Sequence, residues 1–281
     1  MKTVAGTNFS VSCKTLWGAS TIPFGTGAKP AFEAPVFAEL ASRLEQLCAL
    51  GSSGLLHGAN GSGKSYLVNY LLENRLSEKQ FKVLVLTHSS LSGSDLLRSL
   101  CLALEIQPKF RRSDNVALIS QAWKSLAPRW PVLIIEEAQN LAAVALEELR
   151  LLSCARLDTV PFSLLLVGDQ SLLAKLKLGI HAPLRSRLGY CLQLPPFDPS
   201  TARDYIEHSL RSANIHLSPF DPAALELLIQ ASGGLARTIN HLAQRALENA
   251  ASERSSQISS LHVQSAIDRL PWLVNLFAAS T

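Results

Sequence analysis

A chain of 281 residues with 47% hydrophobic and 17% charged residues can bury at least one substantial core, so wholesale disorder is excluded. The balance of 26 Lys and Arg against 22 Asp and Glu gives a net charge of +4, which permits a phosphate-rich partner such as DNA without demanding one. Five scattered cysteines (Cys13, Cys48, Cys101, Cys154 and Cys191) form no Cys-x-x-Cys, which points away from a zinc site or a disulfide framework and toward small apolar core residues in a reducing compartment.

No stretch approaches the ~18 apolar residues of a membrane span, and no apolar block follows Lys2 as in a signal peptide. A soluble, cytoplasmic protein without a membrane partner is therefore expected. Residues 1–30, rich in Gly, Ser, Thr and Pro, read as an irregular N-terminal arm. From Pro35 the apolar residues Phe37, Leu40, Leu44 and Leu47 recur at helical spacing. Elements then alternate. Short apolar runs at 54–57, 81–87, 131–135, 162–167 and 190–194 predict strands, and helical segments at 64–75, 94–105, 114–126, 141–152 and 171–177 lie between most of them. Unbroken apolar strands separated by helices imply a parallel sheet covered on both faces, so 31–195 is expected as one α/β domain. Beyond Pro195-Pro196 the strand signal stops. Asp198-Pro199 and Asp221-Pro222 each set a capping carboxylate before a proline suited to a first helical turn. Further helices are predicted from Leu235, with Ile239, Leu242, Ala246 and Ala250 on one face, and near Ser260. Residues 196–281 thus form a small helical domain with a C-terminal tail, and Leu270–Phe277 in that tail is apolar enough for core or for docking a partner.

Gly58-Ala59-Asn60-Gly61-Ser62-Gly63-Lys64-Ser65 matches G-x4-G-K-[ST] between an apolar strand and a helix that opens with Tyr66 and Leu67. Glycines there let backbone N–H groups wrap phosphates, and the helix N-terminus adds positive potential. Lys64 is expected on the β- and γ-phosphates of ATP and Ser65 on Mg²⁺. Leu133-Ile134-Ile135-Glu136-Glu137 is an apolar strand ending in two carboxylates. The first suits the Mg²⁺ water shell and the second the polarisation of an attacking water. Asp is usual at the first position, and Glu136 moves the carboxylate by about 1.5 Å, one C–C bond, so slower hydrolysis with intact nucleotide binding is expected.

Val167-Gly168-Asp169-Gln170 ends the next strand and offers Asp169 or Gln170 to the γ-phosphate, or merely a turn. Arg185 or Arg187, in Pro183–Leu188, could serve a neighbouring subunit's ATP as an arginine finger. Arg237, after Gly233-Gly234, could fold onto the phosphates from the helical domain. Lys109, Arg111 and Arg112 flank Phe110 in a basic loop suited to phosphate contacts with double-stranded DNA, or simply to solvent.

The set LLHGANGSGKS, VLIIEEAQN, LEELRLL, LLLVGDQSLL, PLRSRL and ASGGLARTINHLAQRAL resembles the AAA+ ATPases of the secretion-pathway protein A (ExeA-like) group and related transposition ATPases such as MuB and TnsC, over about residues 20–270. The resemblance implies strand order 5-1-4-3-2, an α-helical lid, and homo-oligomers that depend on ATP. It also implies that Lys64, Ser65, Glu136 and Glu137 hold Mg-ATP, that Arg237 is sensor 2, and that Arg185 or Arg187 is the finger. Glu136 in place of Asp, and Asp169-Gln170 in place of Gln-Pro, depart from the pattern.

Two functions follow from this resemblance. One is a regulator of DNA transposition that assembles with ATP on duplex DNA and directs a transposase. The other is an assembly ATPase of envelope secretion, whose relatives are fused to a membrane span and a cell-wall-binding domain that do not follow here. The stretches 86–91 and 108–114 resemble stand-alone transposon-linked members, which makes transposition the leading expectation. A switch ATPase acting only on a protein partner is the third reading.

Overall fold

The computed structural model describes residues 3–25, 31–87, 91–154 and 162–270. The expected tail from Pro271 onward, and His88–Ser90 of the transposon-like stretch, lie outside the described residues. The chain divides into two compact units, one of Met1–Ala34, Gly61–Gly63 and Pro195–Thr281, the other of Pro35–Asn60 and Lys64–Leu194.

In the second unit, α2 (Pro35–Ala49) precedes β1 (Ser53–His57), α3 (Lys64–Asn74), β2 (Phe81–Leu86), α4 (Gly93–Ala103), α5 (Arg112–Ser125) and β3 (Trp130–Ile135). There follow α6 (Ala143–Leu152), β4 (Ser163–Gly168), α7 (Gln170–Lys177), the single turn α8 (Ala182–Arg185) and β5 (Leu188–Gln193). The five strands make one parallel sheet in the order β2-β3-β4-β1-β5, the order the resemblance implies. Parallel strands need crossovers, and crossover helices cover both faces. That is why β3 from Pro131 on, all of β4, and β1 from Leu55 on are buried, whereas the edge strand β5 alternates and leaves Cys191 exposed. Leu96, Leu97 and Leu100 of α4 and Leu146 and Leu149 of α6 are fully buried in the core with Leu133, Ile135 and Leu166 of the strands. Each such leucine contributes about 1.5–3 kcal/mol through burial.

Three cysteines fit the expected core role. Cys13, Cys48 and Cys101 are buried, and burial pushes the Cys48 thiol up to about 12. Cys154 is only partly buried and Cys191 is exposed, because one follows the end of α6 and the other points outward from an edge strand.

The first unit is helical. It contains α1 (Thr3–Trp17), α9 (Pro199–Ser212), α10 (Pro222–Ser232), α11 (Ala236–Ser252) and α12 (Ser260–Asp268). The expectation of an irregular arm at the N-terminus is corrected by α1. Phe9, Cys13 and Trp17 repeat every fourth residue and pack on the core of this unit, and the Trp17 indole N–H donates to the Ser256 carbonyl at 2.7 Å. Tertiary packing of one face outweighs the poor helix propensity of the Gly, Ser and Thr around it. Asp198 caps α9 by accepting from the N–H groups of Ser200 and Thr201, and Asp221 caps α10 through Ala224, as their position before proline predicts. Ile239, Leu242, Ala246 and Ala250 of α11 are all buried.

Two consecutive glycines end α10, and both have positive φ, 57° at Gly233 and 72° at Gly234. A Cβ on Gly234 would lie 2.1 Å from the Phe197 carbonyl oxygen, whereas one on Gly233 meets nothing within 4 Å. Gly234→Ala should therefore destabilise the protein by about 2–4 kcal/mol, combining left-handed strain with a backbone collision, and Gly233→Ala by only about 1 kcal/mol. Urea unfolding of the two variants side by side measures the difference, and equal midpoints would refute this packing.

Candidate nucleotide site

The site is built at the C-terminal ends of β1, β3 and β4. β1 pairs with β4 so that His57 lies opposite Gly168, and β4 pairs with β3 so that Ile135 lies opposite Leu166. The loop after β1 and the acids after β3 are thus two strand spacings apart, about 10 Å. The Gly58 N–H donates to the Gly168 carbonyl at 3.3 Å and fixes where the loop leaves the sheet. Gly61 and Gly63 take φ of 87° and 106°, which side chains disfavour, and α3 begins at Lys64.

Lys64 is 7% exposed, and its Nζ donates to the carbonyls of Gly58 at 3.0 Å and Ala59 at 3.1 Å. The Ser62 hydroxyl is buried with no hydrogen-bond partner among the described residues, while Ser65 and Tyr66 are exposed at the start of the helix. A lysine folded over its own loop and a helix N-terminus are donors suited to phosphate oxygens. Ser65 and Glu136 add oxygen ligands suited to Mg²⁺. The residues present fit Mg-ATP.

Glu136, half-buried, donates its N–H to the Leu86 carbonyl at 2.9 Å, which keeps the end of β3 in register with β2. Glu137 is exposed and left-handed, with φ 49° and ψ 37°, and its carboxylate accepts from Gln139 Nε2 at 2.6 Å. Asp169 caps α7, accepting from the N–H of Ser171 at 2.8 Å and from its hydroxyl. Those hydrogen bonds, and at longer range the charge of Lys64, hold its carboxyl below the usual aspartate value. Asp169 is thus a helix cap with a second electrostatic link to the phosphate loop, and Gln170 opens the helix itself.

The arginines differ in commitment. Arg185 donates to the Leu176 carbonyl at 2.7 Å, and Arg187, exposed, donates to the Pro183 carbonyl and to Cys154 Sγ at 3.2 Å. Arg237 is exposed in the first turn of α11, and its N–H donates at 3.1 Å to the carbonyl of Gly61 in the same unit. In the basic loop, Arg112 forms a two-pronged pair with Glu148, both contacts 2.6 Å, so its fork is taken within the chain. Buried Asn115 staples the loop by bonding both the N–H and the carbonyl of Lys109. That leaves exposed Lys109 and Arg111 beside Phe110, which is 93% exposed.

Residues 50–176 match the protein family described as AAA domain. The chain is 28% identical over 215 residues to General secretion pathway protein A of Aeromonas hydrophila, an alignment that takes in 74% of this chain and 39% of that protein. It therefore spans about two fifths of the curated relative's length. Among solved structures it resembles the ORC2 protein of Aeropyrum pernix in ADPNP–ADP complexes, with a TM-score of 0.66 and 19% identity over 88% of this chain and 70% of that one. It also resembles the Aeropyrum pernix ORC1 protein solved with DNA, at 0.65 and 19% over 86% and 66%. The fold is that of the AAA+ P-loop NTPases.

Within this fold, sequence reasoning missed His57 and Gln139. His57 is buried with its Nδ1 unpartnered among the described residues, and burial first, then the charges of Lys177 and Lys64, lower its pKa. A polar residue at the last position of a buried strand was the available signal. His181 is lowered likewise, by burial and then Lys175. A histidine that resists protonation only when folded lets the unfolded state bind more protons below 6.5, so stability falls as pH drops through that value. The capping carboxylates titrate below their usual 3.8, outside this window. Urea midpoints should therefore fall between about pH 7.5 and about pH 5.5, and the fall should shrink in the His57→Gln/His181→Gln double variant. An undiminished fall would place the proton uptake elsewhere.

Proposed function

We propose that this chain is an ATP hydrolase that binds Mg-ATP on the loop Gly58–Ser65 and uses it to assemble homo-oligomers on duplex DNA, where it directs a transposase or another protein partner in the cytoplasm. The observation that carries the nucleotide reading is Lys64, buried and bent onto the Gly58 and Ala59 carbonyls. In this reading Lys64 offsets the charge of the β- and γ-phosphates. Ser65 and Glu136 would hold Mg²⁺, which would supply positive charge against the phosphates. Glu137 takes a proton from the attacking water. Asp169, capped and ionised near Lys64, suits sensor 1. Arg237 suits sensor 2, and Arg187, more exposed than the half-buried contact of Arg185, is the better finger.

Lys64→Ala should abolish ATP binding at micromolar nucleotide while leaving unfolding cooperative. Glu137→Gln should bind ATP and fail to turn it over. Calorimetry and phosphate release check the pair, and unchanged affinity in the first or unchanged turnover in the second defeats the corresponding assignment.

The DNA reading is supported by the exposed Lys109, Phe110 and Arg111, and by the likeness in fold to an ORC1 protein solved with DNA. Two cations per subunit bind weakly, and an ATP-dependent oligomer repeats them along the backbone. Loaded with a non-hydrolysable analogue, wild type should lose affinity with salt by about 0.9 log units per log unit for each neutralised phosphate. Lys109→Ala/Arg111→Ala should flatten that slope on all duplexes alike. Identical slopes remove the loop from the DNA path. Absence of binding by both proteins favours the second reading, an assembly ATPase of secretion, which the similarity to General secretion pathway protein A supports.

A further inference from the structure

Gln139 follows the paired acids by two residues, and the two ends of its side chain have opposite surroundings. Nε2 donates to Glu137 Oε2 at 2.6 Å, while the amide oxygen is buried with no hydrogen-bond partner among the described residues. Turning the amide over would set its oxygen against the carboxylate, so the carboxylate itself fixes which atom is the donor. The residue is anchored from neighbouring elements. Lys175 Nζ of α7 donates to the Gln139 carbonyl and, at 2.9 Å, to that of Leu141. Gly168, at the end of β4, leaves room for the amide, because a Cβ there would lie 2.6 Å from Gln139 Oε1. The Gly168 carbonyl also receives the Gly58 N–H, so the same backbone position touches the phosphate loop and the glutamine.

Two features of this arrangement are unfavourable in themselves. Glu137 sits at φ 49°, where a Cβ is crowded, and the Gln139 oxygen is desolvated without compensation. Strain gathered on one short turn beside a candidate general base is the pattern expected where geometry serves chemistry. We propose that Gln139 is the positioning residue for the hydrolytic carboxylate, its amide N–H fixing the orientation of Glu137. This inference rests on the reading of Glu137 as the base. In that role Glu137 takes one proton from water while the water oxygen bonds to the γ-phosphorus. The bond from that phosphorus to the bridging oxygen breaks, and ADP and phosphate leave. A donor on the carboxylate holds one rotamer through the step.

The test measures kcat and KM for the full chain with Mg-ATP, in wild type, Gln139→Leu, Gln139→Glu and Glu137→Gln, with affinity for a non-hydrolysable analogue measured beside them. Gln139→Leu should keep KM and analogue affinity and lose about tenfold to a hundredfold in kcat. Gln139→Glu, which sets a second carboxylate where the N–H donor stood, should lose kcat likewise with affinity kept. A merely structural glutamine would change stability or affinity and leave kcat in place.

Wild-type kcat in Gln139→Leu, with Glu137→Gln inactive, would overturn the proposal and leave the base assignment standing. Full turnover by Glu137→Gln would overturn the base assignment and this proposal with it. Should Gln139→Leu not fold, wild-type kcat in Gln139→Glu would overturn the proposal by itself.

Discussion

The pairing of β1 with β4 is the constraint on which the second unit depends. A parallel strand inserted between two others cannot be reached by a hairpin, so each crossover must leave the sheet, cover a face and return. All five strands then run the same way, and the loops that follow β1, β3 and β4 emerge along one edge. The hydrogen bond from Gly58 to the Gly168 carbonyl extends that pairing one step past the strand and sets the start of the phosphate loop. Moving β1 by one residue against β4 would turn its buried side chains to the other face and carry the loop away from the acids on β3.

Commitment of charge within the chain decides which cations can meet a ligand. Lys175 is spent on the backbone carbonyls of Gln139 and Leu141, Arg150 on Glu147, and Arg112 on Glu148. Lys64 donates to the neutral carbonyls of Gly58 and Ala59 in its own loop, contacts that phosphate oxygens can replace. Lys109 and Arg111 form no ion pair among the described residues. A net charge of +4 is therefore a poor guide to where a polyanion would bind, since the cations are shared unevenly between structure and surface.

Much of the architecture was legible in sequence because the strands are buried on both faces and so read as continuous apolar runs, Val132–Ile135 and Leu164–Val167 most clearly. The caps Asp198 and Asp221 were legible because a carboxylate before proline has few other uses. The helix α1 was not, since its propensities are poor and only Phe9, Cys13 and Trp17, spaced by four, betray it. The glycine-rich loop announced itself through spacing that few other structures require. The partners of Arg112 and Glu137 could not be read. Glu148 is far from Arg112 along the chain, and the Gln139 contact depends on a left-handed backbone that nothing in Glu-Glu-Ala-Gln specifies.

The central claim is that the loop around Lys64 holds the phosphates of Mg-ATP. A crystal structure of the full chain with Mg²⁺ and a non-hydrolysable ATP analogue tests it most directly. The account predicts Lys64 Nζ withdrawn from the Gly58 and Ala59 carbonyls and bonded to phosphate oxygens, with the Ser65 hydroxyl on the metal. Nucleotide bound elsewhere, or bound here with Lys64 still on those carbonyls, would contradict it.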